Sequence, residues 1–296
     1  MKVGIIGAGA WGTALAILSA KSGNDVVLWS FDPSEAKNIQ KSRENSYLPG
    51  VRISEKVFIT SNMADLHGVD VWLMVTPARY FSETVQKGRE FWPGCPIIIC
   101  TKGMDENGRF MSDIVKEGFS ECGSGLMGVL AGPQFAGEVA RGEPAGSTIA
   151  GGAKVIAAAR TALGGLTLEA TDDMIGAEIC GAGKNAVAIL MGYMDETGAG
   201  ENERALRLTE CWGEITRFGR FFGAKCDTFL GLCGLGDLFL TATSKTSRNY
   251  SAGVALAKGE SPAGTTEGVS AIHGITKLAQ KHGLCMPNLE FLKSLV

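Results

Sequence analysis

Residues 7–12 read GAGAWG, a G-x-G-x-x-G that directly follows the apolar run VGII (3–6) and precedes the helical pattern TALAILSAK (13–21). The six residues alone are a weak pattern, but placed between a strand and a helix they constrain the fold strongly. Gly7 suits a tight turn, Gly9 lets the backbone approach a pyrophosphate, and Gly12 lets helix and strand pack closely. The following helix supplies N–H donors and positive potential at its N-terminus. A chain that starts this way is expected to begin with a dinucleotide-binding β-α-β unit.

The rest of the first half agrees with that start. DVVLW (25–29), VFIT (57–60), VWLMV (71–75), PIIIC (96–100), MGVLAG (127–132), STIAG (147–151) and LTLEAT (166–171) are short apolar or β-branched runs. Helical patterns at 12–21, 34–42, 78–91 and 134–141 alternate with them. Such alternation predicts an α/β fold with a doubly wound, mostly parallel Rossmann-type sheet covered on both faces. After residue 172 the strand signals fade and long helical stretches take over at 174–196, 202–222, 250–258 and 267–282. The expected organisation is therefore a dinucleotide-binding domain over 1–172 and an all-α substrate-binding and catalytic domain over 173–296. No flexible Gly/Ser linker separates them, so direct packing is expected.

Composition narrows the partner. Lys and Arg total 28 against 31 Asp and Glu, with no long run of either sign, so the chain lacks the basic footprint of a nucleic-acid or acidic-lipid binder. The eight cysteines lie scattered without C-x-x-C pairs or zinc spacing, which predicts reduced, structural thiols. The apolar start resembles a signal peptide or membrane span, but Gly4, Gly7, Gly9 and Gly12 weaken a membrane helix, and a second strand follows. A cytoplasmic chain, complete at its start, with no membrane span and a small-molecule partner is expected.

Three places carry candidate chemistry. In EICGAGKNAVAIL (178–190) the cation Lys184 stands among small residues beside Asn185. A lysine desolvated there would have a depressed pKa suited to proton transfer, whereas one on a helix edge would snorkel to water. Lys102 follows the buried strand PIIIC, where a cation suits a phosphate or a polarised carbonyl, or else lies in a solvated loop. Asp237 and Thr241 precede the tripeptide Ser247-Arg248-Asn249, a donor set that fits a phosphate, although such a tripeptide is also common on solvated surfaces. At the end of DVVLW, Asp32 has two readings, a ribose acceptor or the N-cap of a helix that starts at Pro33; the cap is favoured.

Taken together these residues resemble the bacterial-type NAD(P)-dependent glycerol-3-phosphate dehydrogenases. The resemblance runs from GIIGAGAWGTALA through NSYLPG (45–50), TKG (101–103), AGPQFAGEVARGEP (131–144), GAGKN (181–185), TFLGLCGLGDL (228–238), SRN (247–249) and TTEGV (265–269) to the MP at 286–287. It implies interconversion of sn-glycerol 3-phosphate and dihydroxyacetone phosphate, a supply of glycerol 3-phosphate for phospholipid synthesis, and a homodimer. The same resemblance implies that Lys184 gives or takes the proton at the substrate C2 oxygen, with Lys102 a second active-site lysine and Asp237 an acid contacting substrate or lysine. Gly132, Gln134, Thr241, Ser247, Arg248 and Asn249 would contact substrate. Gly7, Gly9, Ala10, Trp11, Gly12, Phe31, Tyr47, Lys102, Ala136, Arg248, Thr265 and Glu267 would contact NAD or NADP. The α-helical glycines around Lys184 would admit nicotinamide and substrate, and no metal is needed.

Four departures from the family pattern stand out. Gln134 replaces a common serine, Phe31 a frequent basic residue and Glu210 an arginine, and the sequence ends at Val296, soon after MPNLEFLKSLV. Phe31 leaves the choice between NAD and NADP open. A related hydroxy-acid dehydrogenase would keep the nucleotide loop and the Lys-Asn helix, with less reason to keep SRN. A non-catalytic dinucleotide-binding protein would have lost polar residues at 102, 184 or 237, and all three are present.

Overall fold

Eight strands of the first half form one sheet, because runs such as those at 3–6 and 71–74 are apolar on both faces and must be covered on both. The computed structural model describes residues 1–262 and 267–296. The strands are β1 (Lys2–Ile6), β2 (Asp25–Trp29), β3 (Val57–Thr60), β4 (Val71–Met74), β5 (Ile97–Ile99), β6 (Met127–Ala131), β7 (Gly146–Gly151) and β8 (Thr167–Thr171). Their order across the sheet is β3-β2-β1-β4-β5-β6-β7-β8. The pairs β1–β2, β1–β4, β2–β3, β4–β5, β5–β6 and β7–β8 all run parallel. The order reverses between β1 and β4, so the carboxyl ends of these two strands mark the topological switch point. At the edge, β8 is half-buried at most and carries Glu169, a charge that discourages further pairing.

Helices α1 (Ala10–Lys21), α2 (Pro33–Ser42), α3 (Ala78–Gly88), α4 (Met111–Gly118), α5 (Ala136–Arg141) and α6 (Ala153–Ala162) connect the strands. The second half contains α7 (Met174–Glu196), α8 (Glu201–Phe221), α9 (Cys226–Leu230), a π-helical turn over Leu232–Gly236, α10 (Asp237–Thr243), α11 (Arg248–Ala257), α12 (Glu267–Lys281) and α13 (Pro287–Leu295). The chain divides into two compact units. The first comprises Met1–Thr101, Ser112–Leu130 and Gln134–Asp172; the second comprises Lys102–Met111, Ala131–Pro133 and Asp173–Val296. The segments after β5 and β6 thus belong to the helical unit. Among the described residues no disulfide joins any of the eight cysteines, and only Cys226 and Cys285 are exposed.

Helix α7 is the spine of the helical unit. It is long and apolar enough to cross a membrane, but 89% of that stretch is buried inside the folded chain, as a core helix requires. Its glycines serve packing. A Cβ on Gly183 would meet Ile215 of α8 at 2.4 Å, and one on Gly192 would meet the Tyr250 carbonyl oxygen of α11 at 2.0 Å. The counterpart on α11 is Gly253, whose Cβ would meet the Ile189 carbonyl oxygen at 2.0 Å. Backbone therefore lies against backbone, and this contact brings Lys184 and the Ser247–Asn249 segment into one unit. Gly192→Ala is expected to cost about 2–3 kcal/mol by overpacking this seam. Thermal unfolding would check it, and an unchanged Tm would mean that the helices separate freely.

Candidate active site

In the helical unit, the site is built on a carboxylate with no exposed surface. Asp237 is 0% exposed and Lys184 4% exposed. Lys184 Nζ donates to Asp237 Oδ1 at 2.5 Å and to Thr241 Oγ1 at 2.9 Å. Lys102 Nζ donates to Asp237 Oδ2 at 3.0 Å and to the Gly132 carbonyl oxygen at 3.1 Å. One carboxylate therefore lies between two ammonium groups, each with a second oxygen partner. The Thr241 hydroxyl in turn donates to Asp237 Oδ1 at 3.3 Å, which the one-turn spacing on α10 permits. The π-helical turn that ends at Gly236 delivers Asp237 at the start of α10. Such turns are rare and frequently lie at functional sites.

Burial and charge act oppositely on the two lysines. Burial depresses Lys184 most strongly; the Asp237 carboxylate raises it, the Lys102 charge lowers it, and the balance brings it down to about 7. For Lys102, burial also pulls down, but the charge and hydrogen bond of Asp237 outweigh it, and the lysine is held above its ordinary value. Lys184 is thus not the snorkelling lysine of a helix edge. It is a buried amine poised between charge states near neutrality, while Lys102 remains a cation. At Gly181 of α7 a Cβ would lie 3.9 Å from Lys102 Cβ, so the lysine's stem runs over the small-residue face.

Hairpin residues after Lys102 hold its backbone. Met104 and Phe110 form an antiparallel bridge, and Asp105 accepts from the Arg109 backbone N–H at 2.8 Å and from Arg109 Nε at 2.7 Å. The hairpin lies on α12, where a Cβ on Gly274 would meet the Asp105 carbonyl oxygen at 2.5 Å. At the first turn of α12, burial pushes the Glu267 carboxyl up, while the charges of Arg248, Lys102 and Lys184 pull it down. Glu267 therefore shares the electrostatic field of the lysine pair.

The tripeptide of 247–249 splits into three roles. Ser247 is the N-cap of α11, its Oγ accepting from the Tyr250 N–H at 3.4 Å, and it is 4% exposed. Arg248 is exposed. Asn249 Nδ2 donates to Asn185 Oδ1 at 2.9 Å, and Asn249 Oδ1 accepts from the Gly268 N–H at 3.0 Å. That amide ties α11 to both α7 and α12. Asn185, adjacent to Lys184, lies outside the expected site, and its amide holds Asn249. Thr265 lies outside the described residues.

In the sheet unit, the glycine loop stands at the switch point. Gly7 has φ +120°, a value that L side chains rarely adopt, and a Cβ on Gly12 would meet the Gly7 carbonyl oxygen at 1.8 Å. Around Gly9 a Cβ would meet nothing within 4 Å, so the backbone is open to a ligand there. Ala10 and Trp11, both half-buried, begin α1. Trp11 Nε1 and Thr76 Oγ1 are buried donors with no partner among the described residues. An open glycine backbone at a helix N-terminus and such unpaired donors at the start of α1 and just past β4 fit a dinucleotide.

Asn45, which sequence reasoning passes over within NSYLPG, braces this loop. Its Nδ2 donates to the Ala8 carbonyl oxygen and to Thr13 Oγ1, each at 2.7 Å. An asparagine in a landmark loop is the only signal the sequence offers for it. Tyr47 and Phe31 are exposed, at 61% and 68%. Asp32 is the cap of α2: its Oδ1 accepts from the Ser34 N–H at 2.8 Å, from Ser34 Oγ at 2.7 Å and from the Glu35 N–H at 3.4 Å. The hydrogen bonds from Ser34 and Glu35 hold its carboxyl below the usual range. Gln134 Nε2 donates to the Gly146 carbonyl oxygen at 3.2 Å and to Ser147 Oγ, so its amide is engaged within the sheet unit, and Ala136 opens α5.

Comparison with known proteins shows the family. The family model described as NAD-dependent glycerol-3-phosphate dehydrogenase N-terminus matches residues 2–157, and the model described as its C-terminus matches residues 173–296. A glycerol-3-phosphate dehydrogenase (NAD(P)+) of Rhodospirillum rubrum is 40% identical over 96% of this chain and 85% of its own. One of Parvibaculum lavamentivorans is 36% identical over 100% of this chain and 92% of its own. The crystal structure of glycerol-3-phosphate dehydrogenase from Coxiella burnetii, 32% identical, superposes with a TM-score of 0.91 and covers 98% of this chain and 93% of that one. With both family models matched and these identities extending over the whole length, the chain belongs to the NAD-dependent glycerol-3-phosphate dehydrogenase family.

Proposed function

We propose that the chain interconverts sn-glycerol 3-phosphate and dihydroxyacetone phosphate with NAD(P), and that Lys184 gives or takes the proton at the substrate C2 oxygen. The observation that carries the role of Lys184 is its buried bond to Asp237 at 2.5 Å, with a pKa brought down to about 7. When bound, NAD(P)H supplies a hydride, and the oxidised form accepts one. Every remaining task falls to the side chains. Protonated Lys184 donates to the C2 oxygen in ketone reduction, and the neutral amine takes the proton back in alcohol oxidation. Lys102 stays cationic and polarises the C2 oxygen or holds the phosphate, while Asp237 fixes both ammonium groups.

For substrate binding, exposed Arg248 offers a guanidinium to the phosphate, and Gly132, Gln134, Thr241, Ser247 and Asn249 shape or contact the site. Gly7, Gly9, Ala10, Trp11, Gly12, Phe31, Tyr47, Lys102, Ala136, Arg248, Thr265 and Glu267 form the nucleotide contacts in the same reading. Residues 1–172 then carry most of the nucleotide contacts and 173–296 most of the substrate contacts. A cytoplasmic homodimer that supplies glycerol 3-phosphate for phospholipid synthesis completes the proposal; light scattering on purified protein tests the dimer.

The activity test is oxidation of NADH and of NADPH with dihydroxyacetone phosphate. Turnover with either supports the reading, and none in folded protein overturns it. The lysine assignment makes a sharper prediction. In the reduction direction kcat/KM should fall as pH rises through about 7, because the proton donor is lost. In the oxidation direction it should rise through the same region, because the base is gained. Limbs of equal sign in both directions would remove Lys184 from the proton transfer. Since Lys184, Asp237 and Lys102 share hydrogen bonds, the profile reports an apparent value for the cluster.

A further inference from the structure

We infer that Glu35, held at the end of β2 by Ser30, is the acceptor for the adenosine ribose hydroxyls, and that the chain therefore prefers NADH to NADPH. This rests on the proposed dinucleotide-dependent reaction and deepens it. In a sheet of this order the carboxyl end of β2 meets the adenosine ribose: a carboxylate there accepts from a free 2′-hydroxyl, and a cation there accommodates a 2′-phosphate. The residue expected by spacing, Asp32, already spends Oδ1 on three bonds from Ser34 and Glu35 in capping α2. Glu35 takes a different path. Ser30, 2% exposed and the first residue past β2, donates its hydroxyl to Glu35 Oε2 and its backbone N–H to the Thr60 carbonyl oxygen at 2.8 Å. The carboxylate is thereby drawn back from its helix toward the strand end.

The charge around it disfavours a 2′-phosphate. Phe31, the residue after Ser30, is 68% exposed and supplies no positive charge to a 2′-phosphate. Lys87, at the end of α3, sets its Nζ 4.4 Å from the centre of the Phe31 ring. It is paired with Glu83 at 2.7 Å, so its charge is already balanced. Asp32 and Glu35 therefore leave the strand end net negative, which suits neutral hydroxyl donors and repels a phosphate dianion.

The test is steady-state kinetics with dihydroxyacetone phosphate and each reduced cofactor, together with fluorescence titration of NADH and NADPH binding. The wild type should favour NADH in kcat/KM by at least about tenfold. Glu35→Gln should narrow that ratio, with the larger part of the change in KM: weaker NADH binding and stronger NADPH binding. A merely structural role for Glu35 would weaken both cofactors equally, and that result overturns the inference. So does a wild type that takes NADPH as well as NADH. If, in addition, Lys87→Met weakens NADPH alone, Lys87 reads a 2′-phosphate and Glu35 does not set the preference. Should neither cofactor turn over, the failure belongs to the proposed reaction, and the two binding curves still decide the preference.

Discussion

Lys184→Ala is expected to lower turnover by about 10²–10⁴-fold while NADH binding, followed by fluorescence, stays near that of the wild type. Within the buried cluster the amine is brought down to about 7, and it lies 2.5 Å from Asp237 Oδ1 and 2.9 Å from Thr241 Oγ1. Removing it deletes the proton donor and leaves Asp237 paired with Lys102 at 3.0 Å. Lys184→Arg separates charge from proton transfer, because a guanidinium keeps the cation but holds its proton at every accessible pH. Both variants should be inactive if Lys184 is an acid-base group. An active arginine variant would reduce its role to electrostatics, and an active alanine variant would move the chemistry elsewhere.

The second large effect concerns stability. Asp237→Asn leaves two buried lysines facing each other without their shared anion, and is expected to cost about 3–5 kcal/mol near neutral pH. The direction of its pH dependence follows from the lysines. Asp237 raises both, so its loss lowers both relative to the wild type. A lysine whose folded value lies below the ordinary 10.5 contributes stability that is present above 10.5 and lost as pH falls through the folded value. In the wild type only Lys184 is of that kind; Lys102, held above 10.5, contributes stability below that value and loses it at higher pH. The variant should therefore be most destabilised at low pH and approach the wild type as pH rises toward 10.5. Denaturant melts across that range would check it, and a gap that widens with pH would contradict the paired-charge account.

Local features are legible where their cause is local. The glycine loop, Pro33 after Asp32, and the apolar runs that form β1 to β8 all express backbone geometry or burial within a few residues. Lys184 among small residues marks a place where a cation would be enclosed, and it is 4% exposed. The glycines beside it are harder to interpret: Gly183 and Gly192 are explained by α8 and α11 packing on α7, contacts that a single segment does not reveal. Ser247 falls into a phosphate grip on sequence because serine, arginine and asparagine are all donors. In the folded chain its hydroxyl also caps α11, and Asn249 also braces α11 against α7 and α12, links that three donor residues in a row do not announce.

By itself the sequence determined the strand and helix periods, the turn at Gly7–Gly12, the cap at Asp32 and the identity of the ionisable groups, since these depend on neighbouring residues and on side-chain chemistry. Tertiary structure alone decided that Asp237 lies between Lys184, 53 residues away, and Lys102, 135 residues away. It also decided that Glu35 turns back to Ser30 and that Asn45 braces the glycine loop. The reason is electrostatic as well as geometric. The charge state of a lysine is set by how much water is excluded and by which carboxylate the packing brings within hydrogen-bond reach, and neither quantity is a property of its own segment.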